Sequence, residues 1–145
     1  MLNLSGMVNI RRATESHLKF WASVDERYNE KTVKKRILQG LAYLISEDEV
    51  PVGVISYAML WDDLPFLSLI KILPKYRGRG IGREAIYAFE RELKEEGFRA
   101  LLTSTQTDEQ AQFFYRAMGY EECGCLIGDK LPEKQPMEMF FIKKF

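Results

Sequence analysis

The sequence predicts an α/β fold: one mixed sheet carrying helices on its faces, in the order β-α-α-β-β-β-α-β-α-β-β. Three observations carry that expectation. Hydrophobic periodicity switches repeatedly between two and about 3.6 along the chain. Helical stretches stop at glycines, Gly40, Gly97 and Gly119. One run, residues 66–73, is apolar on both parities apart from Ser68 and Lys71, the pattern of a strand buried on both faces.

Each element has its own local reason. Val8, Asn9, Ile10 and Arg11 alternate apolar and polar, which predicts an opening strand. Thr14 offers a hydroxyl cap to a first helix, with Leu18, Trp21 and Ala22 at helical spacing. A second short helix is expected over 30–38, and a strand over 41–46. The acidic turn Glu47-Asp48-Glu49 leads to a further strand over 52–59. After Trp61-Asp62-Asp63 comes the apolar run, which Pro74 ends because proline cannot donate to a ladder. From Ile81 the period changes: Ile81, Ala85, Phe89 and Leu93 form one stripe. A strand is expected over 99–104. Thr107 with Gln110 resembles a capping box, ahead of the stripe Ala111, Phe114, Tyr115 and Met118. Two strands, over 120–127 and 137–143, close the chain.

At 145 residues the chain reads as a single domain, 1–145, able to bury roughly 68–70% of its unfolded surface. Hydrophobic residues are 46% and charged residues 29%, a globular balance. Twenty-one Lys and Arg match twenty-one Asp and Glu, which argues against a protein whose work is coating nucleic acid. Cys123 and Cys125 flank one glycine on a single expected strand and read as free thiols, which suits a reducing cytoplasm. A metal pair would need further ligands and His17 is the only histidine, so no metal is expected. No apolar run approaches the roughly 20 residues of a membrane span, and no secretory signal pattern opens the sequence.

The segment that asks for a function is Lys75-Tyr76-Arg77-Gly78-Arg79-Gly80-Ile81-Gly82-Arg83, between the apolar strand and the amphipathic helix. The first amides of a helix lack intrahelical partners and carry the positive end of its dipole, so a phosphate binds there. Glycine lets a bulky anion approach the backbone, and the arginines add charge. The P-loop pattern is absent, and the dinucleotide fingerprint fails where its third glycine would be Arg83. A plain solvated connection is the alternative for such a turn. Its place at the carboxyl end of a strand favours a ligand.

These residues resemble the acetyl-coenzyme-A signature of the GNAT N-acetyltransferases, R/Q-x-x-G-x-G/A, filled here by Arg77, Gly80 and Gly82. The segment Asp108-Glu109-Gln110-Ala111-Gln112-Phe113-Phe114-Tyr115-Arg116-Ala117-Met118-Gly119-Tyr120 is similar to the family's N-x-x-A-x-x-h-Y-x-x-x-G-F/Y. The resemblance implies the GNAT fold and acetyl-CoA as cosubstrate. It implies that amides of Arg77, Gly78, Arg79, Gly80, Ile81 and Gly82, with Arg83, hold the diphosphate. Ile70, Lys71 and Ile72 would pair with the pantetheine arm, in a cleft opened where this strand splays from the one over 99–104. Tyr115 would protonate the departing thiolate, or else simply belong to the apolar stripe. Asp108 replaces the family's asparagine and can only accept hydrogen bonds, which weakens its claim on the cofactor.

The acceptor implied is a primary amine of a small molecule or peptide. Its base is left open between Asp62, Asp63, Glu26 and water. Ser68 either points into the cleft or is a buried serine satisfied by its neighbours. Trp61, Phe66, Trp21 and Tyr28 either line an acceptor pocket or fill core. A non-catalytic acyl-CoA-binding module is the rival reading. The run Met139-Phe140-Phe141-Ile142 would serve a homodimer edge or complete the sheet within one chain.

Overall fold

The computed structural model describes residues 6–145. The chain runs β1 (Val8–Arg12), α1 (Leu18–Val24), α2 (Glu30–Leu38), β2 (Ala42–Glu47), β3 (Val50–Leu60), β4 (Leu64–Ile72), α3 (Ile81–Glu95), β5 (Ala100–Gln106), α4 (Ala111–Ala117), β6 (Glu121–Leu126) and β7 (Glu138–Lys144). The strands form one sheet ordered β1-β2-β3-β4-β5-β7-β6. All neighbours are antiparallel except β4 and β5. The element order is the one that periodicity predicts.

Two cores follow from the strand period of two. Tyr43 and Ile45 of β2, with Ile55 of β3, face α3. Ala42 and Leu44, with Val54, face α1 and α2 and meet Trp21, Val24 and Val33. The α3 stripe Ile81, Ala85, Phe89 and Leu93 is fully buried, and each large member contributes about 1.5–3 kcal/mol by leaving water. Phe89 stands edge-on to Tyr43 and Tyr57, with centroids 5.8 and 5.0 Å away. At the helix's far side Glu90, itself buried, accepts from Tyr120 at 2.6 Å and pairs with Lys143 at 3.0 Å, tying α3 to β7.

Three expectations need correction, and one open alternative is decided. β4 begins at Leu64, so Pro65 lies within it, at a point where β5 has not yet joined. Nor is β4 buried on both faces: Ser68 is exposed and residues 69–72 are half-buried, because β5 leaves it. The capping box is not formed; α4 starts at Ala111 after Gln110, whose side chain makes no cap bond. Finally, β7 lies between β5 and β6, so the run over 139–142 completes the sheet within one chain and is no edge.

Candidate active site

The turn after β4 begins with a single 3-10 turn, Pro74–Tyr76. Gly78 and Gly80 then adopt φ of +76° and +82°, the left-handed region that L side chains avoid. A Cβ at either would meet no atom within 4 Å. Glycine is required there by backbone conformation, not by packing. Gly80 caps α3, and the first helical bond runs from Glu84 N–H to Gly80 O at 3.1 Å. The amides of Ile81, Gly82 and Arg83 therefore have no intrahelical acceptor. They open onto a cavity of about 540 Å³ bounded by residues 76–83, Ile72 and Phe114.

The arginines divide their work. Arg77 Nε donates to the Ile72 carbonyl at 2.8 Å, fastening the turn to the end of β4. Arg79 pairs with Glu47 and lies over the Tyr76 ring at 5.2 Å, so it offers the turn only its main chain. Arg83, in the first turn of α3, is exposed and pairs with no carboxylate among the described residues. Its charge is left for an anion.

Above this turn the sheet forks. β4 and β5 pair only at Phe66–Leu102 and Leu67–Thr103. Beyond them Ser68 is the extra residue of a β-bulge opposite Ser56 and Tyr57, a device that bends a strand and ends pairing. The groups of residues 68–72 that face β5 lack a partner strand; only the Ile72 carbonyl is taken, by Arg77. A cavity of about 630 Å³ occupies the fork, with Ser68, Ile70 and Lys71 on one wall and Ser104 and Gln106 on the other.

Tyr115 reaches the apex of the fork. Burial pushes its phenol above the ordinary value, with a smaller opposing pull from the neighbouring Thr103 hydroxyl. Thr103 Oγ1 in turn donates to the Leu67 carbonyl at 3.2 Å, at the last residue pair before the strands part. Tyr115 also belongs to the core, edge-on to Phe114 and Tyr120, as one of the two readings open in the sequence has it, and its side chain lines neither the fork cavity nor the turn cavity. Thr103 was not singled out by sequence; it is the first polar residue after Ala100-Leu101-Leu102 in β5, and that change was the available signal. Asp108 lines the fork cavity.

The acceptor candidates separate sharply. Trp61, Asp62 and Asp63 form the β3–β4 turn, at the closed end of β4. That is on the order of 15–20 Å down the strand from Ser68, too far to touch an amine in the fork. Phe66 lies against Phe140, centroids 6.1 Å apart, below the fork. Trp21 is core, its indole N–H donating to Asp25 at 3.3 Å, and Tyr28 packs on the same core. Glu26 does line the fork cavity, beside Asp25 and Arg27, and pairs with Lys71 at 3.7 Å. Ser68 is exposed on that cavity, not buried.

Seven strands in this order, with one parallel pair that forks beside a glycine turn, place the molecule among the acyl-CoA N-acyltransferase folds. Residues 7–120 match the model of the acetyltransferase (GNAT) family, and the chain belongs to that family as an acetyltransferase. Comparison with curated proteins gave no match. Solved structures share its fold. Arabidopsis thaliana Naa50, in complex with the bisubstrate analogue CoA-Ac-MVNAL, superposes with a TM-score of 0.77 at 18% identity, over 95% of this chain and 99% of that one. The ribosomal-protein-S18-alanine N-acetyltransferase of Escherichia coli gives 0.78 at 18% identity, over 95% and 94%. A GNAT acetyltransferase from Elizabethkingia anophelis with acetyl-CoA bound gives 0.76 at 15% identity, over 95% and 98%. Among the described residues no cluster of three metal-ligating side chains occurs, and no helix is long and apolar enough to cross a membrane.

Proposed function

We propose that this chain transfers the acetyl group of acetyl-CoA to a primary amine of a small molecule or peptide, by direct attack in a ternary complex. The observation that carries the reading is the fork: β4 and β5 part at Leu67 and Thr103, on the side where the glycine turn presents its amides. Family membership supports it, and so do structural neighbours that hold acetyl-CoA or a CoA–peptide analogue.

Each residue's part follows from its chemistry. The amides of residues 77–82, with Arg83, bind the diphosphate. The unpaired edge at Ile70, Lys71 and Ile72 takes the pantetheine arm as an added strand. Free amide groups beside the Ser68 bulge polarise the acetyl carbonyl as charge develops on it. Tyr115, kept protonated by burial, gives its proton to the departing thiolate. Of the carboxylates that the sequence offered as base, Glu26 lines the fork, and it receives the amine's proton. Around the cavity Asp25, Glu26, Asp108, Glu109 and Glu138 outnumber Arg27 and Lys71, which draws a cationic amine. Neighbours named for peptide and protein acceptors favour a peptide amine.

The test is thiol release from acetyl-CoA against a mixed library of small amines and peptides, with the acetylated product identified by mass. Turnover with at least one primary amine is expected. Tight acetyl-CoA uptake with no turnover across the library would establish the non-catalytic module instead.

A further inference from the structure

We infer that Lys71 is itself an acetyl acceptor, modified by the chain's own acetyl-CoA when no external amine occupies the fork. The inference rests on the acetyl-CoA reading above.

Among the described residues, Lys71 is the only primary amine whose side chain lines the fork cavity. Arg27, the other cation there, keeps its protons and cannot attack. Beyond the bulge Lys71 shares a strand face with Leu69, which packs against the α1 and α2 core. Its Nζ reaches Glu26, in the segment between α1 and α2. The amine therefore stands on the α1–α2 face of β4, beside the carboxylate assigned to accept an external acceptor's proton. Leu69 and Lys71 are about 7 Å apart along the strand, a span that the flexible four-carbon stem of lysine covers. Nζ can thus swing from Glu26 to a carbonyl held at the bulge.

The ion pair does not prevent that swing. Its Nζ–Oε1 distance is 3.7 Å and the Glu26 side chain is 83% exposed. Pairs of that kind contribute about 0–1 kcal/mol, so the bound and free positions of Nζ differ little in energy.

The step balances without a further reactant. Glu26 takes one proton from the ammonium, and the freed Nζ lone pair attacks the acetyl carbonyl carbon. The N–C bond forms and the C–S bond breaks. Tyr115 gives its proton to the departing thiolate, giving free CoA, and is restored by the second proton that nitrogen loses; Glu26 returns its proton to water. Acetyl-lysine carries no charge, so modification removes the partner of Glu26.

Folded protein is incubated with acetyl-CoA and no added amine, and acetylation of each lysine is followed by peptide mass spectrometry, with calorimetry of acetyl-CoA uptake in parallel. The expected result is labelling of Lys71 faster than the exposed Lys19 and Lys144 by a factor on the order of 100. The rate per molecule should not depend on protein concentration. Glu26→Gln should slow labelling by about tenfold or more, and Lys71→Arg should leave only the background at the other lysines. Uptake of acetyl-CoA with Lys71 labelled no faster than Lys19 overturns the inference and leaves the transferase reading standing. A rate proportional to protein concentration overturns it too, since the acetyl group would then pass between copies. Absence of uptake removes both readings together.

Discussion

The two ends of β4 are made of much the same residues and behave differently. At the closed end Leu67 is 3% exposed, held between β3 and β5. At the open end Leu69, Ile70 and Ile72 remain half-buried and Ser68 is exposed. Side-chain chemistry does not distinguish Leu67 from Leu69. What changes is the neighbour: β5 pairs through Thr103 and then diverges, and a bulge at Ser68 bends β4 away. One end of the strand therefore holds the molecule together while the other holds unpaired backbone and apolar surface for a ligand.

Mutation should separate the two ends. Leu67→Ala is expected to cost about 2–5 kcal/mol of unfolding free energy, whereas Ile70→Ala costs about 1 kcal/mol or less, because a half-buried site leaves a smaller cavity. Denaturant titration reads both, and equal losses would break the comparison. Tyr115→Phe probes the apex between the ends. Turnover should fall by about 100-fold, roughly 3 kcal/mol in the barrier, with acetyl-CoA affinity nearly unchanged by calorimetry. Because burial raises the folded-state pKa of Tyr115, its loss of a proton sets no basic limb in the rate below about pH 10. A limb near pH 8 that disappears in the phenylalanine variant would contradict that.

Smaller effects are expected at the turn, and with opposite signs. Gly80→Ala forces a Cβ into φ +82° and should cost about 1–2 kcal/mol. Acetyl-CoA affinity should fall with it, since the amides would no longer point into the cavity. Gly82 sits in the helix, where a Cβ would meet only Phe114 at an ordinary 3.9 Å. Gly82→Ala should therefore stabilise the fold by about 0.5–1 kcal/mol. Thermal melts of the two variants on either side of the parent decide the matter; a shift in one common direction would mean that conformation does not govern these glycines.

Much of this was legible in the sequence. The α3 stripe, the glycine stops and the turn over 75–83 are local patterns, fixed by residues within one or two turns of each other. The family motifs also pointed to the residues the structure gathers at the turn, the fork and its apex. The fork itself was not legible, because apolar residues on both parities look alike whether a neighbouring strand or a ligand is to cover them. Distance along the fold was hidden too: Asp62 and Asp63 stand close to β4 in sequence but at its far end in space. Glu26, remote in sequence from Lys71, meets it across the cavity. The position of β7 between β5 and β6 is a long-range pairing, and nothing in its apolar run distinguishes an interior strand from an edge.

Amide hydrogen exchange along β4, with and without acetyl-CoA, tests the central claim most directly. New protection is expected over residues 68–72 and 77–83, while residues 64–67, already paired on both sides from Phe66 onward, change little. Saturating acetyl-CoA that left residues 68–72 exchanging as before would contradict it.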